Sequence, residues 1–354
     1  MMHKVVVDLG ERTYEIRIER GLLKSIGNEA RKLSKAWKVA VITDANVNTL
    51  YGEELENSLE EAGFAVSRIV IEPGEKSKSL EVLGEVYGKL AAAGLTRGDL
   101  VITFGGGVPG DLGGFAAATF LRGVDFIQVP TSLLAQIDSS VGGKVAIDLP
   151  AGKNLVGSFY QPLGVFIDPD LLKTLPQRYL HDGLAEAVKY GCIRSAGLFR
   201  RLEEIKDDVE LLQKIDQVIF ECCEIKARIV EADEFDNGDR MLLNFGHTLG
   251  HAVEKCYGYE TYTHGEGVGI GMIMITAQTE SRGITENGTT ARIRGLLEHY
   301  TLPAEAELSR DEVLQSVSLD KKKKGGKITL VILAKIGEGR LLKIPYEELP
   351  NYIV

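Results

Sequence analysis

The sequence predicts two parts: an α/β domain with a mostly parallel sheet over residues 1–168, and a mainly α-helical domain over residues 169–354. Three observations predict this. Short apolar runs alternate with helical stretches through the first half, which is how a parallel sheet covered by helices is written. From about Leu171 the apolar spacing lengthens to a helical period. The chain, at 354 residues, is long enough for two separate cores.

Taken in order, Val5–Asp8 and Tyr14–Ile18 alternate like two strands joined around Leu9–Arg12. Leu22–Leu33 has helical spacing, Lys38–Thr43 is a strand and Leu50–Ala62 a helix. Ala65–Ile71 is a strand, Leu80–Ala93 a helix and Leu100–Phe104 a buried strand. Asp111–Thr119 reads as a small-residue helix, with strands at Phe126–Pro130 and Val165–Ile167. Beyond Asp168 the helices are Leu184–Ile193, Val209–Glu231, His247–Lys255, Val268–Arg282 and Ala291–His299. A strand pair, Ile328–Leu333 with Arg340–Ile344, closes the chain. The run Lys321–Lys324 reads as a solvated turn.

Composition narrows the function. Hydrophobic residues make up 44% and charged residues 26%, as in an ordinary globular enzyme. The net charge of −10 argues against a general nucleic-acid binder, which needs a basic face. A few local Lys and Arg still suffice to hold an anionic metabolite. No run of about 18 apolar residues suggests a membrane span, and the N-terminus alternates like a strand rather than a signal peptide. The four cysteines lack zinc-ribbon or disulfide-framework spacing, so a reducing cytoplasm is the expected home.

The segment Leu243–Gly267 carries three of the six histidines, His247, His251 and His264. Histidine is the commonest metal ligand and the usual proton carrier near neutrality. His247 and His251 are i, i+4 and share a helix face, which Glu254 continues. His264 opens another helix from a glycine-rich turn. A catalytic zinc needs three protein ligands, so the third is either His251 or a carboxylate from elsewhere, for which Glu186 is a candidate. Glu186 and Lys189, at i, i+3, also read as an ordinary surface salt bridge.

Three other features ask for an account. The strand ending at Phe104 runs into Gly105-Gly106-Gly107-Val108-Pro109-Gly110-Asp111, where glycines admit a ligand and a helix N-terminus favours phosphate. It lacks the GxGxxG spacing of an ordinary Rossmann dehydrogenase. Lys226 lies on an apolar helix stripe, where it either snorkels to water or meets a buried anion. The stretch from Pro130 to Leu155 is rich in Ser, Gly and Lys, and suits either a connector or a phosphate ester bound through Asp138, Lys144, Lys153 and Asn154.

With these segments assembled, the chain resembles the 3-dehydroquinate synthases. The resemblance rests on Pro73-Gly-Glu-x-x-Lys78, the Gly105–Asp111 turn, Pro130-Thr-Ser-Leu-Leu-Ala-Gln-Ile-Asp-Ser-Ser-Val-Gly-Gly-Lys144, Gly183-Leu-Ala-Glu-Ala-Val-Lys189, Leu243-Asn-Phe-Gly-His-Thr-x-Gly-His251 and His264-Gly-Glu. It implies a dehydroquinate synthase-like fold, with an NAD-binding α/β domain, a metal-binding helical domain and substrate in the cleft between them. It implies a homodimer as well, and one divalent ion, usually zinc with cobalt as substitute, on Glu186, His247 and His264. NAD would meet Asp44, Asn46, Glu75, Lys78, Gly105, Gly106, Gly107, Val108, Asp111, Thr131, Ser132, Lys144 and Lys153. A sugar-phosphate substrate would meet Arg122 from a neighbouring subunit, and Lys144, Asn154, Lys189, Lys226, Arg240, Asn244, His251 and Lys327. Of these, Lys144, Asn154, Lys189 and His251, with Asp138, would take part in catalysis.

The implied reaction is a step of the shikimate pathway. Heptulosonate phosphate is transiently oxidised by NAD, loses phosphate, regains its hydride and closes by an intramolecular aldol reaction, giving a lyase with no net redox. Pro109, Ser132 and Gly267 depart from the family pattern by small changes. Other readings are a sister sugar-phosphate cyclase, of the valiolone or 2-deoxy-scyllo-inosose type, and a metal-dependent polyol dehydrogenase.

Overall fold

The computed structural model describes residues 2–258, 260–308, 310–321 and 326–353. The strands of the first half are β1 (His3–Val7), β2 (Tyr14–Ile18), β3 (Lys38–Asp44), β4 (Ala65–Ile71), β5 (Leu100–Gly105), β6 (Asp125–Pro130), β7 (Lys144–Leu149), β8 (Gly152–Phe159) and β9 (Gly164–Ile167). Its helices are α1 (Ile26–Leu33), α2 (Ala45–Glu61), α3 (Leu80–Ala92) and α4 (Gly107–Thr119). Then follow α5 (Gln177–Arg194), α6 (Ala196–Glu204), α7 (Asp208–Ala232), α8 (His247–Cys256), α9 (His264–Ser281), α10 (Thr289–His299) and α11 (Arg310–Lys321), with β10 (Lys327–Lys335) and β11 (Glu338–Pro345) last.

Seven strands form one sheet in the order β1-β2-β9-β6-β5-β3-β4, parallel throughout except for the β1–β2 pair at one edge. Strand period 2 divides its side chains between two helix layers. Val39, Val41, Ile102 and Phe104 pack with Ile26, Leu55 and Leu59. Ala40, Ile42, Val101 and Phe126 pack with Leu83, Val86, Leu112 and Phe115. A sheet buried on both faces needs continuous apolar strands, and β3 and β5 are written that way.

The chain divides into two compact units, but not at 168/169. The first comprises Met1–Leu175 with Lys214–Phe235, and the second Pro176–Gln213 with Asp236–Val354. Residues 214–235 join the first unit through specific contacts. Arg20 forks onto Asp216 and Asp170, Cys223 Sγ donates to the Gln136 carbonyl at 3.3 Å, and Glu234 receives Arg12 at 2.7 Å and Gln161 at 3.0 Å. Helical periodicity marks a helix but does not say which core it faces.

Other differences have local causes. Helix α2 starts before Leu50, at Ala45, because the Asp44 carboxylate accepts from the N–H groups of Asn46 and Val47. Helix α4 starts at Gly107 rather than Asp111, with Pro109 in its first turn. The Pro130–Leu155 stretch is not a plain connector: it forms a π-helical turn, Ala135–Ser139, and then the β7–β8 hairpin. Helices α6 and α11 lack a counterpart in the sequence reading. Lys321 ends α11, and Lys322–Lys324 lie outside the described residues.

In the second unit α5 is buried almost all round from Leu180 to Ile193. Helices α8 and α9 approach until backbone meets backbone. A Cβ on Gly250 would sit 2.7 Å from the Gly267 carbonyl oxygen, and one on Gly271 only 2.1 Å from that of Gly246. Glycine is the residue that allows this contact. Among the described residues, no helix is long and apolar enough to cross a membrane, and all four cysteines are free thiols.

Candidate functional site

The α8–α9 contact brings His247, His251 and His264, three of the second unit's histidines, into one cluster around a carboxylate from α5. Ring centroids of His247 and His264 are 5.1 Å apart, and those of His247 and His251 5.4 Å. Glu186 is fully buried, and its Oε1 lies 3.4 Å from His247 Nε2 and 3.3 Å from His264 Nε2. Tetrahedral bonds of about 2.0–2.1 Å separate ligand atoms by about 3.3–3.4 Å, so this donor set fits a zinc-sized divalent ion. His251, whose side chain is 59% exposed, stands at the rim with its Nε2 3.9 Å from Glu254. The geometry favours the carboxylate over the two-histidine helix pair.

Each donor is held from behind. His247 Nδ1 faces the Phe245 carbonyl at 3.1 Å, which assigns its proton there and leaves Nε2 bare towards Glu186. His264 opens α9 after the N-cap Thr263, in a reciprocal box with Glu266. Arg178 forks onto both Glu266 oxygens at 2.8 Å. The Gly265 N–H donates to Asp182 at 2.6 Å, and a Cβ there would be 2.0 Å from the Asp182 carbonyl. The Glu186–Lys189 pair is not a surface salt bridge: the two side chains are 0% and 1% exposed and in direct contact.

The electrostatics follow. Burial, with the Lys189 cation beside it, pushes His247 well below its ordinary value, leaving it neutral. Burial opposes charge on His264 too, but the neighbouring carboxylates of Glu186 and Glu254 outweigh it and raise the group to about 10. A divalent ion on these atoms would take the place of that proton.

In the first unit the glycine turn is tight at Gly105 and looser at Gly107. A Cβ on Gly105 would be 2.6 Å from Pro109 and 3.3 Å from Asp44 Oδ2. The Thr131 N–H donates to the Gly105 carbonyl at 2.9 Å. The Oγ atoms of Ser132 and Ser139 sit 3.3 and 3.4 Å from where Gly106 and Gly107 would carry a Cβ. Lys78 is buried, and its Nζ donates to Asp111 at 2.8 Å and Asn154 at 2.5 Å, with Glu75 3.4 Å away. Burial would lower the Lys78 ammonium, but Asp111 and Glu75 outweigh it and raise it, so it stays charged. Asn154 adopts a left-handed backbone, φ 55°, and its N–H donates to Asp148 at 2.6 Å.

Lys226 does not snorkel. It is 6% exposed, and its Nζ donates to the Asp138 carbonyl at 2.6 Å and to the Asp138 carboxylate. Arg240 is buried at 1% exposure, and Asn244 lines a small cavity with Gly246, Thr248 and Leu330. Asn46, Lys144 and Lys327 are exposed, whereas Val108 and Lys153 are half-buried. Arg122, also exposed, has φ 69° directly after Leu121 at φ 53°. The sequence reading gave no role to Glu254, which is 3% exposed with Oε2 3.9 Å from His264 Nδ1. Its position three after His251 on the same helix face was the available signal.

Comparison with known proteins bears on the whole chain. Residues 68–182 match the family model described as 3-dehydroquinate synthase N-terminal, and 183–323 match the one described as 3-dehydroquinate synthase C-terminal. A 3-dehydroquinate synthase of Clostridium acetobutylicum is 52% identical over 353 residues, 99% of each protein. One from Enterococcus faecalis is 45% identical over 351 residues, 99% of this chain and 98% of that protein. Among solved structures, a 2-epi-5-epi-valiolone synthase from Streptomyces hygroscopicus with NAD+ and Zn2+ bound superposes with TM-score 0.87 at 25% identity, covering 98% of this chain and 97% of that one. A glycerol dehydrogenase from Schizosaccharomyces pombe reaches TM-score 0.60 at 18% identity over 85% of this chain and 81% of that one.

Proposed function

Because the chain belongs to the 3-dehydroquinate synthase family, we infer that it converts 3-deoxy-D-arabino-heptulosonate 7-phosphate to 3-dehydroquinate and phosphate, as a carbon–oxygen lyase of aromatic biosynthesis. The observation that carries this reading is the convergence of Glu186 Oε1, His247 Nε2 and His264 Nε2. It occurs in a chain half-identical to named synthases over nearly its full length.

We assign Glu186, His247 and His264 to a divalent ion, zinc or cobalt, which would act as a Lewis acid on the substrate's hydroxyls. NAD would serve as a hydride store, reduced and reoxidised within each turnover. The first unit would hold it with Asp44, Asn46, Glu75, Lys78, Thr131, Ser132, Lys153 and the Gly105–Asp111 turn, whose α4 N-terminus offers bare N–H groups to a pyrophosphate. Lys78, already held charged by Asp111 and Glu75, needs little reorganisation to meet a polar ligand.

The chain's remaining residues bind and orient. Lys226 already sits against a carboxylate, that of Asp138, and the substrate's own carboxylate is the anion it would exchange to. Lys144, Asn154, Lys189, Arg240, Asn244 and Lys327 supply further cations and donors to the acid and phosphate groups. Arg122 is assigned to the phosphate of a neighbouring subunit in a homodimer. His251, exposed at the rim beside the buried donors, would move a proton at Nε2. The phosphate itself is the base for its own departure, so few protein groups need to change protonation. A cytoplasmic enzyme fits this reading.

Sister cyclases and dehydrogenases share the fold at 25% identity or less, which favours the synthase reading over theirs. The test is phosphate release from the heptulosonate phosphate in the presence of catalytic NAD, with and without a chelator. Chelator-sensitive release accompanied by 3-dehydroquinate supports the reading. No release would move the protein to a sister cyclase.

A further inference from the structure

We propose that Glu254 is a positioning residue of the metal centre: its carboxylate takes the Nδ1–H of His264 and so fixes the tautomer whose bare Nε2 faces Glu186. Glu254 lies on α8 and is 3% exposed. Its Oε2 is 3.9 Å from His264 Nδ1 and 3.9 Å from His251 Nε2. The other ring nitrogen of His264 is 3.3 Å from Glu186. One imidazole thus lies between two buried carboxylates, with different jobs on its two nitrogens.

The neighbouring ligand has the same arrangement. His247 presents Nε2 to Glu186 and Nδ1 to the Phe245 carbonyl. Ligating histidines are ordinarily directed by an acceptor on their far nitrogen, and Glu254 is that acceptor for His264. A separation of 3.9 Å exceeds a direct hydrogen bond, so the contact would be completed by a change of side-chain torsion or a bridging water. The space for such movement comes from Gly267, where a Cβ would stand 3.1 Å from Glu254 Cγ.

The inference rests on the metal reading above. The experiment measures zinc affinity by competition with a chromophoric chelator, and the visible spectrum of the cobalt form, in the wild type, Glu254→Gln and Glu254→Leu. Glu254→Leu should weaken zinc binding about 10–100-fold and alter the cobalt bands, with unchanged melting of the metal-free protein. Glu254→Gln, which keeps an acceptor, should recover most of the affinity. Leucine binding within twofold of wild type, or glutamine losing as much as leucine, would overturn the proposal. If the leucine variant fails to fold, Gly267→Ala replaces it: crowding Glu254 should shift the cobalt bands, and an unchanged spectrum would count against the role. A wild type that binds neither ion would sink the metal reading itself.

Discussion

The two candidate sites use glycine differently. At the α8–α9 contact, glycines let backbone touch backbone, with added Cβ atoms 2.1–2.7 Å from carbonyl oxygens. The space they save pulls His247, His251 and His264 towards Glu186. At the Gly105–Asp111 turn the close partner of Gly105 is the Pro109 side chain, 2.6 Å from an added Cβ, and a Cβ on Gly107 would meet the Ser139 side chain no closer than 3.4 Å. The charges differ in the same sense. Lys78, Asp111, Glu75 and Asn154 satisfy one another in the first unit, whereas Glu186 gathers two imidazole nitrogens at the spacing an ion requires. On the proposed reading, the second unit would hold a point ligand and the first a larger one.

Removing ligand atoms should give the largest effect. Glu186→Ala or His264→Ala should abolish stoichiometric zinc, measured by elemental analysis, and lower kcat/KM at least about 1,000-fold. The first unit should remain folded by circular dichroism and limited proteolysis. Full activity in either variant would break the ligand assignment.

The two uses of glycine can be separated next. Gly271→Ala should destabilise by about 1–3 kcal/mol or more through overpacking, read as a lower melting temperature together with lost metal affinity. Gly107→Ala should melt within about 0.5 kcal/mol of wild type, as a substitution without a clash does, yet bind NAD at least about tenfold more weakly. Equal loss of stability in both would erase the distinction.

Lys226→Ala should raise the substrate KM about tenfold, the worth of one charge-assisted hydrogen bond, with a smaller change in kcat. Unchanged kinetics would mean that pairing with Asp138 is all the lysine does.

The smallest expected effect concerns the frame of the first unit. Burial opposes ionisation of Asp99, but the N–H groups of Lys38 and Thr96 and the Thr96 hydroxyl outweigh it and lower the carboxyl below its ordinary value. A lowered folded-state value contributes stability above the unfolded value, near pH 4, and that stability is lost as pH falls further through the folded value. Asp99→Asn should therefore cost about 1 kcal/mol at pH 7, and the difference from wild type should shrink below pH 4 in urea melts.

Much of this was legible in the residues, for reasons that differ from place to place. The His-Gly-Glu turn was legible as a glycine-rich start of another helix, and the Thr263–Glu266 capping box that holds His264 appears only in the structure. The parallel sheet was legible because strands buried on both faces carry continuous apolar runs. Glu186 was ambiguous, since an i, i+3 acid–base pair looks the same on a surface or in a core; only the all-round burial of α5 decides it. The β7–β8 hairpin was hidden because β8 lacks clean alternation between buried and exposed positions. Residues 214–232 of α7 group with the first unit rather than with the helical one, because their partners, Arg20, Gln136 and Asp138, lie far away in sequence. Glu254 shared a helix face with His251, but a stripe does not reveal which nitrogen a carboxylate meets.

The most direct test of the account is the ratio of product to NAD. Purified zinc-loaded protein would receive excess heptulosonate phosphate and a trace of NAD, with phosphate, 3-dehydroquinate and NADH followed together. The account predicts equal amounts of phosphate and 3-dehydroquinate, many times the NAD supplied, and no accumulation of NADH. Product that stops at one equivalent of NAD, with NADH building up in step, would contradict it and mark a dehydrogenase.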